Sequence, residues 1–234
     1  MKYIKIMAVV SIALVAAMYA WNNLFVSEQK HEVPGFSAIH VTGPINVFLE
    51  KSTNQEVIVR ADDNIHDQLE IFVENEVLMI SNSKNINRER ILDIYIKYSK
   101  LDSIHSSGAS TVTSKNHVTT DNLKLFASGA AEMRLQVTSD STYLIMDGAA
   151  NVQLAGFTNY FDVEINHVGD MMAYNFEARN CNLRMHTGDQ SPGVARINVT
   201  ERLYASIKGP RLLKYKGNPT VIEDITGRGS IEQY

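Results

Sequence analysis

The sequence is poor in cysteine, in proline and in excess charge of either sign. Its 234 residues include one cysteine, Cys181, so no disulfide can form within the chain, and we expect this side chain to pack in the interior. Five prolines and 13 glycines are too few for a low-complexity chain. The formal net charge is -4 with acids and bases interspersed; without a broad basic surface to neutralise phosphates, we expect no nucleic-acid partner.

Charged residues are also missing from a stretch near the N-terminus. Lys2 and Lys5 flank the start of an uncharged apolar run, residues 6–20, a layout typical of a secretory signal peptide. The run is shorter than the roughly 20 residues of a membrane-spanning helix. We therefore predict that residues 1–25 are a signal peptide or an N-terminal membrane anchor. Export to the periplasm, cell envelope or cell surface follows, with membrane contact only through this segment if it is retained.

Helical periodicity is absent after residue 30, and a glycine repeat is found instead. One series with 40-residue spacing is Gly108, Gly148 and Gly188, and an interleaved series is Gly129, Gly169 and Gly209. Taken together, the six glycines are separated by a longer step, as from 108 to 129, and a shorter step, as from 129 to 148, in alternation. Glycine reaches backbone angles that other residues adopt only at a cost, so we predict a structural turn at each of these glycines and at Gly43 and Gly229.

Apolar residues keep the same spacing. Leu123, Val163 and Leu203 are 40 apart, as are Leu125, Ile165 and Ala205, and they lie in short runs of alternating polarity that indicate half-buried strands. About 20 residues at ~3.3 Å each span roughly 66 Å, enough for one coil of a β-helix whose stacked coils share a core. The pattern predicts an all-β solenoid, residues 33–234, with about 20-residue coils paired into 40-residue repeats. The alternative is a propeller of 40-residue blades, but only about three copies are present and the Trp-Asp signature is missing.

The N-terminal third lacks a clear glycine period but is rich in strand-like runs. We predict strands around residues 39–49, 57–59, 69–73, 77–80 and 91–96, with a turn at residues 74–76. Residues 81–90 are polar and highly charged, which indicates an exposed loop.

The order of these motifs resembles one known family. Phe36–Ile39 leads into Val41–Val47, followed by Val57–Ala61, the 71–80 hairpin and the Ser-Gly-Ala turns after residue 106. In this order they resemble the bacterial auto-transporter adhesins with a head GIN domain, a domain of unknown function, over nearly all of the chain after the apolar segment. The resemblance implies a right-handed parallel β-helix-like fold with paired repeats, an envelope location and a role in adhesion. It brings no catalytic residues, and Asn75-Glu76 stands where a glycine turn is expected.

Two similar tetrapeptides form the best candidate for a polar site. His167 to Asp170 and His186 to Asp189 both read His-x-Gly-Asp, and they are separated by one shorter step of the glycine series, so they should sit on neighbouring coils. Two imidazoles and two carboxylates could bind a divalent metal or carry out acid/base chemistry. The alternative is that each Asp caps its turn and each His ends a strand. We favour the second interpretation, with no metal, no cofactor and no catalytic residue.

Outward-facing aromatic residues would offer a sugar-stacking strip. The candidates are Tyr160, Phe161, Tyr174, Phe176, Tyr204 and Tyr215, although strand alternation places about half of them in the core. The preferred hypothesis is a non-enzymatic envelope β-solenoid that binds a carbohydrate or protein partner. The alternatives are a polysaccharide-active β-helix enzyme using the Asp147, Asp170 and Asp189 side, and a purely structural envelope component. The sequence leaves the ligand and the oligomeric state open.

Overall fold

A computed structural model describes residues 26–82, 92–186 and 193–234. The predicted signal or anchor segment, nearly all of the predicted loop at 81–90, and Gly188 lie outside these residues. Within them no helix has the length and apolar character needed to span a membrane.

The described residues form one 17-stranded sheet and a short 3₁₀ helix at His66–Gln68, which confirms the all-β prediction. The strands are β1 (Val26–His31), β2 (Ala38–Thr42), β3 (Asn46–Lys51), β4 (Glu56–Asp62), β5 (Leu69–Glu74), β6 (Val77–Asn82), β7 (Leu92–Tyr98), β8 (Ser103–Ser107), β9 (Thr111–Ser114), β10 (Val118–Ala127), β11 (Glu132–Met146), β12 (Asn151–Ile165), β13 (Asp170–His186), β14 (Gly193–Lys208), β15 (Arg211–Lys216), β16 (Thr220–Thr226) and β17 (Ser230–Gln233). Strand β1 belongs to the sheet although it precedes residue 33, where the sequence placed the start of the domain.

From β8 onward every strand pairing is parallel. Strand β11 pairs with β12, β12 with β13, and β13 with β14, as expected for coils wound on top of one another. The chain is therefore a β-solenoid with coils of the predicted length, and not a propeller.

Successive coils differ slightly in length. In one column of paired residues the chain passes through Ser106, Ala127, Met146, Ile165, Met185 and Ile207. The first two steps, from 106 to 127 and from 127 to 146, are the predicted longer and shorter ones. The third step, to residue 165, is short again where a longer one was predicted, and the last two steps become progressively longer. Register shifts along the β12–β13 and β13–β14 pairings accompany the longer steps.

These unequal steps change which apolar residues stack. Leu125 pairs in register with Leu144, and the column continues through Val163, Leu183 and Ala205, all buried. The sequence placed Ile165 between Leu125 and Ala205, which is wrong by two positions in the middle of the column. The reason is that two short steps precede two longer ones, so the 40-residue spacing holds only over the whole span.

The same correction applies to the neighbouring column. The sequence stacked Val163 between Leu123 and Leu203. The register instead places Phe161 there, with Cys181 on the next coil. Leu123 and Leu203 do share a column, because the short and long steps cancel over four coils.

Four of the predicted turn glycines stack directly on one another. Gly43, Gly108, Gly129 and Gly148 all have positive φ, and a Cβ on Gly129 would lie 3.0 Å from the Gly108 carbonyl oxygen. The Ala130 N–H donates to that same oxygen at 2.7 Å. The column therefore requires glycine both for its backbone angle and for the close approach of the next coil.

The remaining predicted turns differ from this column. Gly169 follows a bend at His167 and Val168, and a Cβ on Gly169 would meet the Ala150 carbonyl oxygen at 2.4 Å rather than another glycine. Gly209 has positive φ, and the glycine stacked on it is Gly227, whereas the sequence proposed Gly229 as the turn.

The N-terminal third closes one end of the solenoid. Strands β2 and β3 begin the stack, and β6 and β7 pair with them in parallel. Antiparallel strands then cover this end, because β5 pairs with β6, β4 with β7, and β1 with β4. The predicted turn joins β5 to β6 through Asn75 and Glu76, both with positive φ (49° and 61°), as the tight turn of a two-stranded hairpin requires.

Candidate functional site

The sequence-predicted histidines and aspartates have separate partners. His167 Nδ1 contacts Asp147 Oδ1 and not Asp170. Asp170 Oδ1 instead accepts a hydrogen bond from the Val194 N–H at 3.0 Å and so ties β13 to β14. In the described part of the chain there is no group of three or more His, Cys, Asp or Glu side chains able to hold a metal ion.

The two histidines are also out of register. The β12–β13 pairing matches Ile165 with Met185, so His186 is one position past this pair and His167 is two positions past it. His186 is half-buried at the end of β13. Asp189, the fourth candidate, lies outside the described residues.

The carboxylates proposed for a polysaccharide-cleaving site hold the backbone in place. Asp147 Oδ1 accepts a hydrogen bond from the Gly148 N–H at 2.9 Å and so caps its turn. With Asp170 bonded across coils, two of the three proposed carboxylates have structural contacts. A glycosidase needs two carboxyl groups facing one cleft at a set separation, and these contacts do not provide that arrangement.

A serine and a histidine approach each other near the N-terminal end. Ser27 Oγ lies 3.2 Å from His66 Nε2 and 2.5 Å from Asp63 Oδ1, to which it donates. In a nucleophile, base and orienting-acid relay the carboxylate contacts the imidazole. Here it contacts the hydroxyl, so the order of such a relay is not reproduced.

The six aromatic candidates divide between core and surface. Phe161 and Phe176 are buried and pack edge to face, with ring centroids 5.1 Å apart. Tyr215 packs partly buried against the core. Tyr174 lies beside Lys216, whose Nζ is 4.6 Å from its ring centroid. Two tyrosines remain as an exposed pair.

Those two, Tyr160 and Tyr204, flank a shallow depression of about 370 Å³ on the outer face of β12, β13, β14 and β16. Their exposed fractions are 58% and 41%. They lie on β12 and β14, two coils apart, which is roughly 10 Å along the solenoid axis at ~4.8 Å per coil. The depression is therefore long enough to contact more than one ring of an extended ligand.

Two outward-facing columns of paired residues line this depression. The first runs from Tyr160 through Asn180 to Arg202. The second runs from Asp162 through Asn182 to Tyr204 and Ile222. Because successive outward residues are two positions apart on each strand, the columns lie side by side and present rings, amides and a guanidinium on one rigid surface.

The polar groups in the lining differ in whether they have a partner within the protein. Asn182 Oδ1 is buried and accepts no hydrogen bond from any described residue. Asp162, in contrast, accepts a hydrogen bond from Arg184 at 2.7 Å. A buried acceptor without a donor costs free energy, but Asn182 Oδ1 has almost no surface open to the depression, so a ligand held there does not reach it.

Cys181 forms part of the floor and does not supply a nucleophile. It is buried, as the sequence predicts, and burial raises the pKa of its thiol, with a smaller effect from the nearby Asp162 carboxylate. A neutral buried thiol is unreactive. The floor is therefore an apolar surface, which Phe161 and Leu203 extend on the neighbouring strands.

Sequence analysis identified the tyrosines but missed the polar residues between them. Asn180, Asn182 and Arg202 belong to no motif, and only the register across three coils brings them together. The alternation of outward positions in β13 and β14 was the available signal. To align these outward positions from coil to coil, the length of each coil must be known, and the glycine spacing gives only the average length.

The fold and the surface together define a β-solenoid with a ligand-sized depression on its outer face. The chain belongs to the family described as "Putative auto-transporter adhesin, head GIN domain", whose profile matches residues 35–219. This confirms the resemblance seen in the sequence. None of the curated proteins matches the sequence significantly.

Solved structures of similar proteins share the fold. A crystal structure of a "putative adhesin" from Bacteroides fragilis is 25% identical, with a TM-score of 0.82, and the match covers 89% of this chain and 97% of that one. A second "putative adhesin", from Parabacteroides merdae, is 22% identical with a TM-score of 0.71, covering 91% of this chain and 97% of that one. At that identity the second comparison shows the fold alone.

Proposed function

We propose that this protein is a non-enzymatic binding module of the cell envelope and that it holds a carbohydrate in the depression between Tyr160 and Tyr204. The observation that carries the proposal is the pair of exposed tyrosines with amide groups between them. Aromatic faces cover the apolar face of a sugar ring, while amide groups bond to its hydroxyls. Sites of this kind combine an apolar lining with a few oriented polar groups.

The fold supports binding without rearrangement. The lining residues project from long strands that pair in register on successive coils, so the rings are held at fixed spacing. A preorganised surface does not have to be ordered when the ligand arrives. A sugar polymer is itself a repeating ligand, and it suits a surface that repeats from coil to coil.

Location and role rest on two further observations. The apolar segment after Lys2 and Lys5 predicts export, and the family and its solved relatives are named as adhesins. An exported module that binds sugars could attach a cell to a glycan-bearing surface. We therefore propose an envelope location in which the solenoid is exposed to such a ligand.

Binding is tested with the purified solenoid, residues 26–234, on a glycan array and by calorimetry. Truncating either tyrosine (Tyr160→Ala or Tyr204→Ala) removes about 1.5–3 kcal/mol of apolar contact, so we expect affinity to fall roughly tenfold or more. Phe72→Ala supplies the matched control, because Phe72 is 46% exposed but lies on the β5–β6 hairpin at the other end of the solenoid.

Two results would contradict the proposal. If the parent chain and both tyrosine variants bound the glycan with equal affinity, the ligand would not bind in this depression. Reproducible cleavage of any array glycan, lost on substitution of Asp147 or Asp170, would instead favour the enzymatic alternative.

A further inference from the structure

The charges around the depression are unevenly balanced. Asp162 pairs with Arg184 at 2.7 Å, and Glu201 lies 4.0 Å from Arg179. Arg202 lines the depression and makes no ion pair with any residue that the structure describes. Glu201, next to Arg202 along the chain, and Asp162, the acidic residue of the lining, thus have other partners, and Arg202 is left as a cation without an ion pair in the lining.

From this we infer that the bound sugar is acidic and that its carboxylate pairs with Arg202. The inference rests on the proposed carbohydrate-binding function and narrows it to one ligand class. A guanidinium presents a planar fork of donors that matches both oxygens of a carboxylate. A uronic acid or a sialic acid carries that group directly on the sugar ring.

The neighbours of Arg202 fit the rest of such a sugar. Arg202 stands beside Asn180 on the adjacent coil and two positions before Tyr204 on its own strand. A carboxylate held at Arg202 places the attached ring next to the exposed face of Tyr204. A ring hydroxyl then lies near the side-chain amide of Asn180, which a simple carboxylic acid would not contact.

The overall charge of the chain implies that a preference for acidic sugars arises from direct contact with Arg202 and not from long-range attraction. With a formal net charge of -4, the protein does not attract anionic sugars at long range. Discrimination must therefore come from the bound geometry. We expect Arg202 to affect the dissociation rate more than the association rate.

The test compares matched ligands on the folded solenoid. Oligosaccharides of galacturonic, glucuronic and sialic acid are each titrated beside their methyl esters, which keep the ring and lose the charge. We expect at least one acid to bind roughly tenfold or more tightly than its ester, as for a hydrogen bond to a charged group. Arg202→Gln should abolish this preference, and Arg202→Lys should retain part of it.

Arg196→Gln is the matched control. It removes the same charge from the same strand, β14, where Arg196 lies outside the depression, and it leaves the Arg179–Glu201 contact intact. This variant should keep the preference for the acid. Circular dichroism and thermal melting of each variant establish that the solenoid remains folded.

The outcomes separate the two proposals. If the parent chain binds acids and esters equally, or binds neutral or sulfated glycans while ignoring the carboxylated ones, the inference about Arg202 is wrong and carbohydrate binding stands. If no glycan of any charge binds, the proposed function fails with it. If Arg196→Gln loses the preference as fully as Arg202→Gln, the effect is one of general charge and the assignment to Arg202 is overturned.

Discussion

At the scale of single residues, the outer surface carries a stacked pair of histidines. His40 on β2 and His105 on β8 lie with ring centroids 4.1 Å apart and planes inclined by 4°. The Phe126 ring continues the stack, 5.7 Å from His105. Partial burial lowers the pKa of both histidines, and for His105 the charge of His40 lowers the pKa further. The folded chain therefore favours two neutral rings here.

This pair predicts a loss of stability in mild acid. Because the pKa of each ring is lower in the folded chain than the unperturbed 6.5, the unfolded chain binds more protons as the pH falls through 6.5. The free energy of unfolding should decrease over that range. In the double variant His40→Gln, His105→Gln the decrease should be smaller, measured by urea denaturation between pH 7.5 and 5.5. Identical slopes for parent and variant would show that the stacked rings do not contribute.

At the scale of elements, the turns join coils by stacking glycine on glycine. Gly129 has a φ of +70°, and an added Cβ would meet the backbone of Gly108 below and strain the coil contact. The other turns use different residues, as Asn75 and Glu76 do in the hairpin. Glycine thus determines the backbone conformation of one column of turns, and strand pairing determines the conformation of the rest of each coil.

Gly129→Ala should destabilise the solenoid by about 1–2 kcal/mol from the left-handed backbone alone, and by more if the Gly108 carbonyl cannot move. Gly35→Ala is the control, since its Cβ would meet only a side-chain oxygen of Gln55 at 3.5 Å. Urea denaturation at neutral pH gives both values. A cost for Gly129→Ala no larger than for Gly35→Ala would mean that the glycine column is not required for stacking.

The sequence predicted the coils but not which residues of successive coils are aligned. The glycine spacing gave the coil length and the parallel winding, because turn chemistry is local. The stacking of Phe161 between Leu123 and Leu203 depends on register shifts in β12 to β14, which no local pattern encodes. The depression between β12 and β14 was not predicted for the same reason. Tyr160 and Tyr204 could be named in advance, but their position relative to Arg202 follows only from the actual coil lengths.

At the scale of the whole molecule, the two ends of the solenoid are unlike. The N-terminal end is covered by antiparallel β1, β4 and β5. At the other end, β16 pairs only with β14 and β17 only with β15 among the described strands. Most residues of β16 are exposed, whereas every second residue of β12 and β13 is largely buried. Stability should therefore decrease toward the C-terminal coil.

Hydrogen exchange measures that gradient. Amides of β16 and β17 should exchange well before those of β11 and β12, because a coil with one neighbour opens at lower free energy than one with two. Peptide-resolved mass spectrometry at neutral pH distinguishes the two regions. Uniform exchange along the solenoid would indicate that it opens as a single cooperative unit.

The antiparallel cover at one end also bears on how this architecture can evolve. From β8 onward each described coil pairs only with the coils adjacent to it, so duplication or deletion of a coil changes the height of the stack by ~4.8 Å and leaves the covered end untouched. Relatives should therefore differ in length by whole coils inserted on the far side of β8. The distance from the covered end to the depression between Tyr160 and Tyr204 would then vary in the same increments, so that descendants of one ancestral scaffold carry the same outer surface at different heights above its base.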